Sequence, residues 1–210
     1  MNERNTIHFL GISVGNSFFS YTNLYNSIKT AIAHFSRVII VIFDLPAIST
    51  YVALGYPVNI ARKDKVFQKS NSLRNKIIKI LNEFNCDPLK IRLLSWKDEV
   101  DSNELYHNYY QMMVKKTQKH KLLFQNIYET TQSVLISSKK TIQNLDKATH
   151  IAMHYLISEL AFFEFTIEYF HIKKSVCLYH RPWPIFQNYV AGILDGEFKD
   201  HLGFYLISSD

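Results

Sequence analysis

The sequence predicts an α/β fold: a single Rossmann-like domain over residues 1–210, with a mostly parallel central sheet flanked by helices. Three observations carry this. The chain opens with two short apolar runs separated by a stretch of helical length, which makes a β-α-β unit with a right-handed crossover. Further apolar runs alternate downstream with long helical segments. Glycine and proline number only 6 and 5 among 210 residues, which disfavours long irregular stretches.

Thr6 to Val14 reads as a buried strand, and Arg37 to Phe43, rich in β-branched residues, as a second. Between them Asn23 is a candidate cap for a helix running to about Phe35. Arg62 to Phe84 has helical periodicity, with Val66, Leu73, Ile77, Leu81 and Phe84 gathered on one face. Lys90 to Trp96 is expected as a third strand, Ser175 to His180 as a fourth and Phe204 to Ser208 as a last. Helices are expected over Ser102 to Lys116, His120 to Ser137 and Asp146 to Phe170, and a rigid proline-limited loop over Arg181 to Pro184. No internal repeat or low-complexity linker interrupts the order. Ligands of such a fold bind outside the carboxyl ends of the strands.

Charge and composition narrow the function classes. A formal charge of +6 suits a polyanionic partner, either nucleic acid or an acidic membrane surface. The longest apolar run, Val38 to Phe43, is too short to span a bilayer, and Met1 to Thr6 lacks the features of a signal peptide. Cys86 and Cys177 show neither a CxxC pair nor zinc spacing. A soluble cytoplasmic protein without membrane association is expected. Neither GxGxxG nor GxxxxGK[ST] is present, so a dinucleotide or P-loop nucleotide site has no support, and no cofactor is expected.

Three segments carry candidate chemistry. His8 to Ser17 ends the first strand with Gly11, Ser13, Gly15 and Asn16, placing a serine hydroxyl at the edge where such folds do chemistry. Gly11 leaves room beside it, and Gly15-Asn16 suits a tight turn. The same residues fit a GxSxG nucleophile elbow, for which Asp195 and His201 nominally supply an acid and a base. In the 146–170 helix, Tyr155 and Glu159 stand four apart and share a face. A carboxylate among Leu156, Leu160, Ala161, Phe162 and Phe163 is costly to bury without a cation or a proton-exchange role; on a solvated face it needs neither. His150 and His154 share the same spacing, but without the Glu of HExxH no metal site is expected. The third segment, Tyr179-His180, lies at the end of a late strand, where an aromatic core residue and a surface histidine are the plain alternative.

Together the three segments resemble the cyclodipeptide synthase family. Its pattern is Gly-x-Ser with an asparagine three residues on, met by Ser13 and Asn16. A Tyr-x-x-x-Glu helix follows, met by Tyr155 and Glu159, and then Tyr-His after a late strand, met by Tyr179 and His180. Asn16 with Tyr179 and His180 corresponds to the family's Asn-Tyr-His branch. The resemblance spans positions 8 to 184 and implies a fold like the catalytic domains of class I tyrosyl- and tryptophanyl-tRNA synthetases. It also implies that two aminoacyl-tRNAs are joined, without ATP, into a 2,5-diketopiperazine by ping-pong catalysis through aminoacyl- and dipeptidyl-enzyme esters on Ser13. Glu159 is then expected to hold the ammonium of the first aminoacyl group and later accept a proton, and Tyr155 to hydrogen-bond that group. Tyr179 is expected to orient the serine or stabilise the oxyanion, His180 to assist proton transfer and Asn16 to fix the local geometry.

The resemblance further implies that Phe9, Gly11, Phe162 and Cys177 line an apolar pocket for the first side chain. Products of aliphatic or aromatic residues are expected, leucine first among them. On the 62–84 helix, taken as regular, Arg62, Lys65, Lys69, Lys76 and Lys79 fall within an arc of about 100°, a cationic stripe suited to tRNA phosphates. A monomer is expected. The rival readings are a serine hydrolase or acyltransferase built on the GxSxG segment, and a non-enzymatic RNA-binding module.

Overall fold

The computed structural model describes residues 5–138 and 140–207; the expected strand end at Ser208 and the residues at 1–4 lie outside them. Strands β1 (Thr6–Ser13), β2 (Val38–Phe43), β3 (Ile91–Leu94), β4 (Lys174–Tyr179) and β5 (Leu202–Leu206) form one sheet in the order β3-β2-β1-β4-β5. Every pairing is parallel. The order reverses at β1, so the crevice beyond its carboxyl end lies between chains that leave in opposite directions.

Strand parity sorts the two faces. Ile7 and Phe9 of β1, Ile39, Val41 and Phe43 of β2 and Cys177 of β4 enter one core with α5 (Glu104–Lys119), α6 (Lys121–Ser137) and α7 (Leu145–Tyr169). Leu10 and Ile12, Ile40 and Ile42, and Leu178 enter the other, with α1 (Tyr21–His34) and α4 (Gln68–Glu83). A sheet covered on both faces explains why β2 is apolar at every position rather than alternating.

Helix boundaries depart from expectation for identifiable reasons. Ser20, not Asn23, caps α1 by accepting from the Asn23 amide at 3.3 Å, while Asn23 Nδ2 donates to the Phe18 carbonyl. Helix α2 (Asp44–Ala53) is not among the expected elements; it carries Pro46 in its first turn, where proline is tolerated. The same holds for α8 (Pro184–Val190), which begins at its proline where a loop was expected. The 62–84 helix starts earlier, as α3 (Val58–Ile60), and passes through a π-helical segment, Ala61–Phe67, before α4. A second π-helical segment, Trp96–Asp101, ends β3 early. Strand β5 begins two residues before the expected Phe204.

No helix among the described residues is long and apolar enough to cross a membrane. Cys86 and Cys177 are both free.

Candidate active site

Odd-numbered residues of β1 face α7, so Ser13, the last of them, presents its hydroxyl to that helix at the open edge of the sheet. The Tyr155 hydroxyl donates to Ser13 Oγ at 3.0 Å. Tyr179, the last residue of β4 and of the same parity, brings its hydroxyl to 3.5 Å from Ser13 Oγ. The turn after Ser13 is fixed by local bonds: the Asn16 amide donates to the Ser13 carbonyl at 3.3 Å, and Asn16 Oδ1 accepts from the Phe18 amide. Gly15 has φ +86°, and a Cβ there would lie 2.5 Å from the Tyr51 hydroxyl. The left-handed backbone conformation is what favours glycine there. Gly11 packs closely as well, since a Cβ would stand 3.3 Å from the Phe43 ring.

Glu159 lies one turn beyond Tyr155 and is only 6% exposed. Burial pushes its carboxyl up to about 8, and the neighbouring Tyr155 hydroxyl opposes that rise. At that value Glu159 is largely protonated near neutral pH. Burial, with Glu159 nearby, pushes the Tyr155 phenol well above its usual range; burial also raises Tyr179. Both tyrosines are hydrogen-bonding groups rather than bases.

These groups open into a cavity of about 640 Å³, lined by the end of β1, by α2, α6 and α7, and by the 181–184 segment. Gly11 and Cys177 line it; Phe9 and Phe162 do not. Phe9 has the right parity but lies four residues back from the edge, and Phe162 turns into the core. Both are fully buried and pack edge to face with ring centroids 5.4 Å apart. The aromatic walls come instead from Phe43, which pairs with Ser13 in register, and Phe163, four residues beyond Glu159. Tyr51 and Arg181 also line the cavity. The i+4 spacing from Glu159 was the signal for Phe163, whereas nothing local announced Tyr51, which sits on the unexpected α2.

The placement of His180 does not fit direct proton transfer at Ser13. It follows Tyr179 and so has the opposite parity; its ring stacks on Phe18 at 3.7 Å and does not line the cavity. Burial, aided by Arg181, pulls its pKa down to about 4, so it is neutral at physiological pH. The hydrolase triad is not assembled either. Asp195 pairs with Lys116 and Lys199, and His201 bonds Glu164 at 2.7 Å. Among the described residues, the Ser13 hydroxyl bonds tyrosines and no histidine. His150 bonds the Asp146 carbonyl, and His154 bonds the Tyr110 hydroxyl.

The cationic stripe is present but divided, because the π-helical turn shifts the angular register that a regular helix would have. Lys65 lies over Tyr56 and Lys69 over Tyr51, beside the cavity. Arg62 lies over Phe67, Lys76 is half-buried on α4, and Lys79 lies further along, over Tyr21 and 4.0 Å from Glu83.

The family model described as Cyclodipeptide synthase matches residues 2–208. A cyclo(L-tyrosyl-L-tyrosyl) synthase of Mycobacterium tuberculosis is 27% identical over 179 residues, which is 84% of this chain. The chain spans about three fifths (61%) of the length of that relative. Among solved structures, a CDPS from Staphylococcus haemolyticus superposes with a TM-score of 0.82 at 19% identity, covering 99% of this chain and 93% of that one. A cyclodipeptide synthase from Candidatus Glomeribacter gigasporarum, bound to Phe-tRNAPhe, gives 0.58 at 16% identity, covering 96% and 87%.

Proposed function

Because the chain belongs to the cyclodipeptide synthase family, we propose that it joins the aminoacyl groups of two aminoacyl-tRNAs into a cyclic dipeptide through successive esters on Ser13. The observation that carries this is the Ser13 hydroxyl, held at 3.0 Å by Tyr155 and opening into the cavity that Glu159 also lines. The tRNA-bound structure in the same family and the cationic face beside this cavity support tRNA as the carrier.

In the first step Ser13 Oγ attacks the ester carbonyl of the first aminoacyl-tRNA. One ester replaces another, and the serine proton leaves on the released tRNA hydroxyl, so no strong base is needed at Ser13. The Tyr155 and Tyr179 hydroxyls orient the nucleophile and donate to the oxygen that gains charge. The bound aminoacyl group brings an ammonium, whose charge favours ionised Glu159. Glu159 then takes a proton from that ammonium, and the freed amine attacks the ester carbonyl of the second aminoacyl-tRNA. The second tRNA leaves and a dipeptidyl ester remains on Ser13. The terminal amine of that dipeptide attacks the Ser13 ester, closing the ring and regenerating the hydroxyl. Closure needs a cis peptide, costing about 2.5–4 kcal/mol, which a cavity holding the dipeptide folded back on itself offsets. Asn16 keeps the Ser13 turn in shape, and His180 acts by packing against Phe18.

Apolar walls at Phe43, Leu156, Phe163 and Cys177 favour hydrophobic aminoacyl groups of leucine type. The test is to supply purified protein with loaded tRNAs, without ATP, and to look for diketopiperazines by mass spectrometry. Cyclic dipeptide supports the reading. Free amino acids alone as product mean that the enzyme is an esterase.

A further inference from the structure

A second cavity, of about 240 Å³, shares no lining residue with the catalytic one. Leu45, Pro46 and Ser49 of α2 line it, whereas Ala47, Thr50 and Tyr51 of the same helix line the catalytic cavity. On α7, His154 and Ser158 stand here, each one residue before Tyr155 and Glu159 on the other side. At about 100° per residue the two sets take separate arcs of each helix, so the cavities flank the α2–α7 pair from opposite sides. Asp101 of the second π-helical segment and residues of α5 complete the wall.

The chemistry of this lining is one-sided. Trp96 and Tyr106, both buried, meet edge to face with ring centroids 5.5 Å apart, and Tyr110 adds a third ring. Ser49 Oγ donates to the Pro46 carbonyl at 2.8 Å and Ser158 Oγ to the His154 carbonyl at 2.7 Å, which leaves both oxygens as acceptors. A carbonyl can only accept, so the 2.7 Å contact of His107 Nε2 with the Asp101 carbonyl puts a proton on Nε2 and leaves Nδ1 of the neutral ring as an acceptor. The Tyr110 hydroxyl and His154 Nδ1 bond each other. The Asp101 carboxylate has no cation within 4.0 Å among the described residues. Although the chain carries 24 lysines and arginines, none among the described residues lines this cavity.

We infer that this cavity is a binding site for a small organic cation, an ammonium group carried on a compact apolar body. The ammonium supplies the N–H donors that the acceptors at Ser49, Ser158 and His107 lack, and Asp101 supplies the opposite charge. The aromatic lining favours a cation over a neutral group of the same shape. A volume of about 240 Å³ suits one ring-sized body rather than a larger ligand. The inference is independent of the reaction proposed at Ser13.

The probes are benzylammonium and its neutral counterpart benzyl alcohol, titrated calorimetrically into wild type, Asp101→Asn and Glu159→Gln. Asp101 is exposed, so Asp101→Asn is expected to keep the wild-type unfolding temperature. Wild type should bind benzylammonium about tenfold or more tighter than the alcohol. Asp101→Asn should lose that preference, with the cation weakened about tenfold and the alcohol changed by less than about twofold. Glu159→Gln, altered in the other cavity, should keep it. Equal affinity for the two probes in wild type, or no binding of benzylammonium, overturns the site. A preference that survives Asp101→Asn and disappears in Glu159→Gln overturns it as well, by placing the cation in the catalytic cavity.

Discussion

Tyr155 and Ser13, 142 positions apart in the chain, meet through a 3.0 Å hydrogen bond in which the phenol donates to the serine oxygen. The phenol is neutral and half-buried, so it orients the nucleophile and stabilises developing negative charge without removing the serine proton. Tyr155→Phe should therefore lower kcat about 10- to 100-fold with little change in KM. Tyr179→Phe should cost less, because its contact is longer, at 3.5 Å. Steady-state kinetics with one loaded tRNA distinguishes the two. Equal, negligible effects would remove both tyrosines from the mechanism.

Glu159 makes folding stability depend on pH. Its carboxyl ionises at about 8 in the folded protein against 4.5 ordinarily, so the folded state binds its proton more tightly. The stability this gives is fully present below about pH 4.5 and is lost as pH rises through about 8, at up to about 1.4 kcal/mol per unit. Glu159→Gln mimics the neutral form and should lack that slope. Its melting temperature should gain on wild type across the window, while product formation falls by about a hundredfold or more. Parallel melting curves at every pH would show that Glu159 ionises normally.

The basic face should act through binding. Lys65→Ala, Lys69→Ala and Lys76→Ala combined should raise the apparent KM for loaded tRNA and flatten its salt dependence, by about one log–log unit or less for each lost contact. A filter-binding series across salt checks this. Wild-type behaviour would place the tRNA elsewhere on the protein.

The apolar walls set the expected products. Phe43, Leu156, Phe163 and Cys177 offer no partner to a charged side chain, whereas burying a leucine-sized group gains about 1.5–3 kcal/mol. Offered a full set of loaded tRNAs, the enzyme should release mainly cyclic dipeptides of aliphatic or aromatic residues, identified by fragmentation. A dominant product containing Asp, Glu, Lys or Arg would refute the pocket while leaving the ester chemistry standing.

What the sequence disclosed follows physical lines. The strands β1, β2 and β4 and the long helix α7 were legible because continuous apolar or periodic runs reflect burial directly. Helix α8 was hidden by Pro184, which stands in a first turn where proline is permitted, and α2 carries Pro46 in the same kind of position. The π-helical turn at Ala61–Phe67 left no composition cue, so the cationic stripe was drawn on a helix of the wrong pitch. Motif spacing brought Ser13, Tyr155, Glu159 and Tyr179 to one edge, but depth along a strand was not readable. Phe9 has the correct face and the wrong depth. His180 came to the chemistry only through the Tyr-His motif of the family resemblance, although neighbours in an extended chain point to opposite faces.

The central claim is a covalent ester on Ser13, and the most direct measurement is acid-quenched transfer of label from a radiolabelled aminoacyl-tRNA to protein, followed by peptide mapping. The account expects wild type to carry label on the peptide containing Ser13, and Ser13→Ala to fold normally, bind loaded tRNA and carry none. Label retained by Ser13→Ala, or mapped in wild type to any other residue, would contradict it.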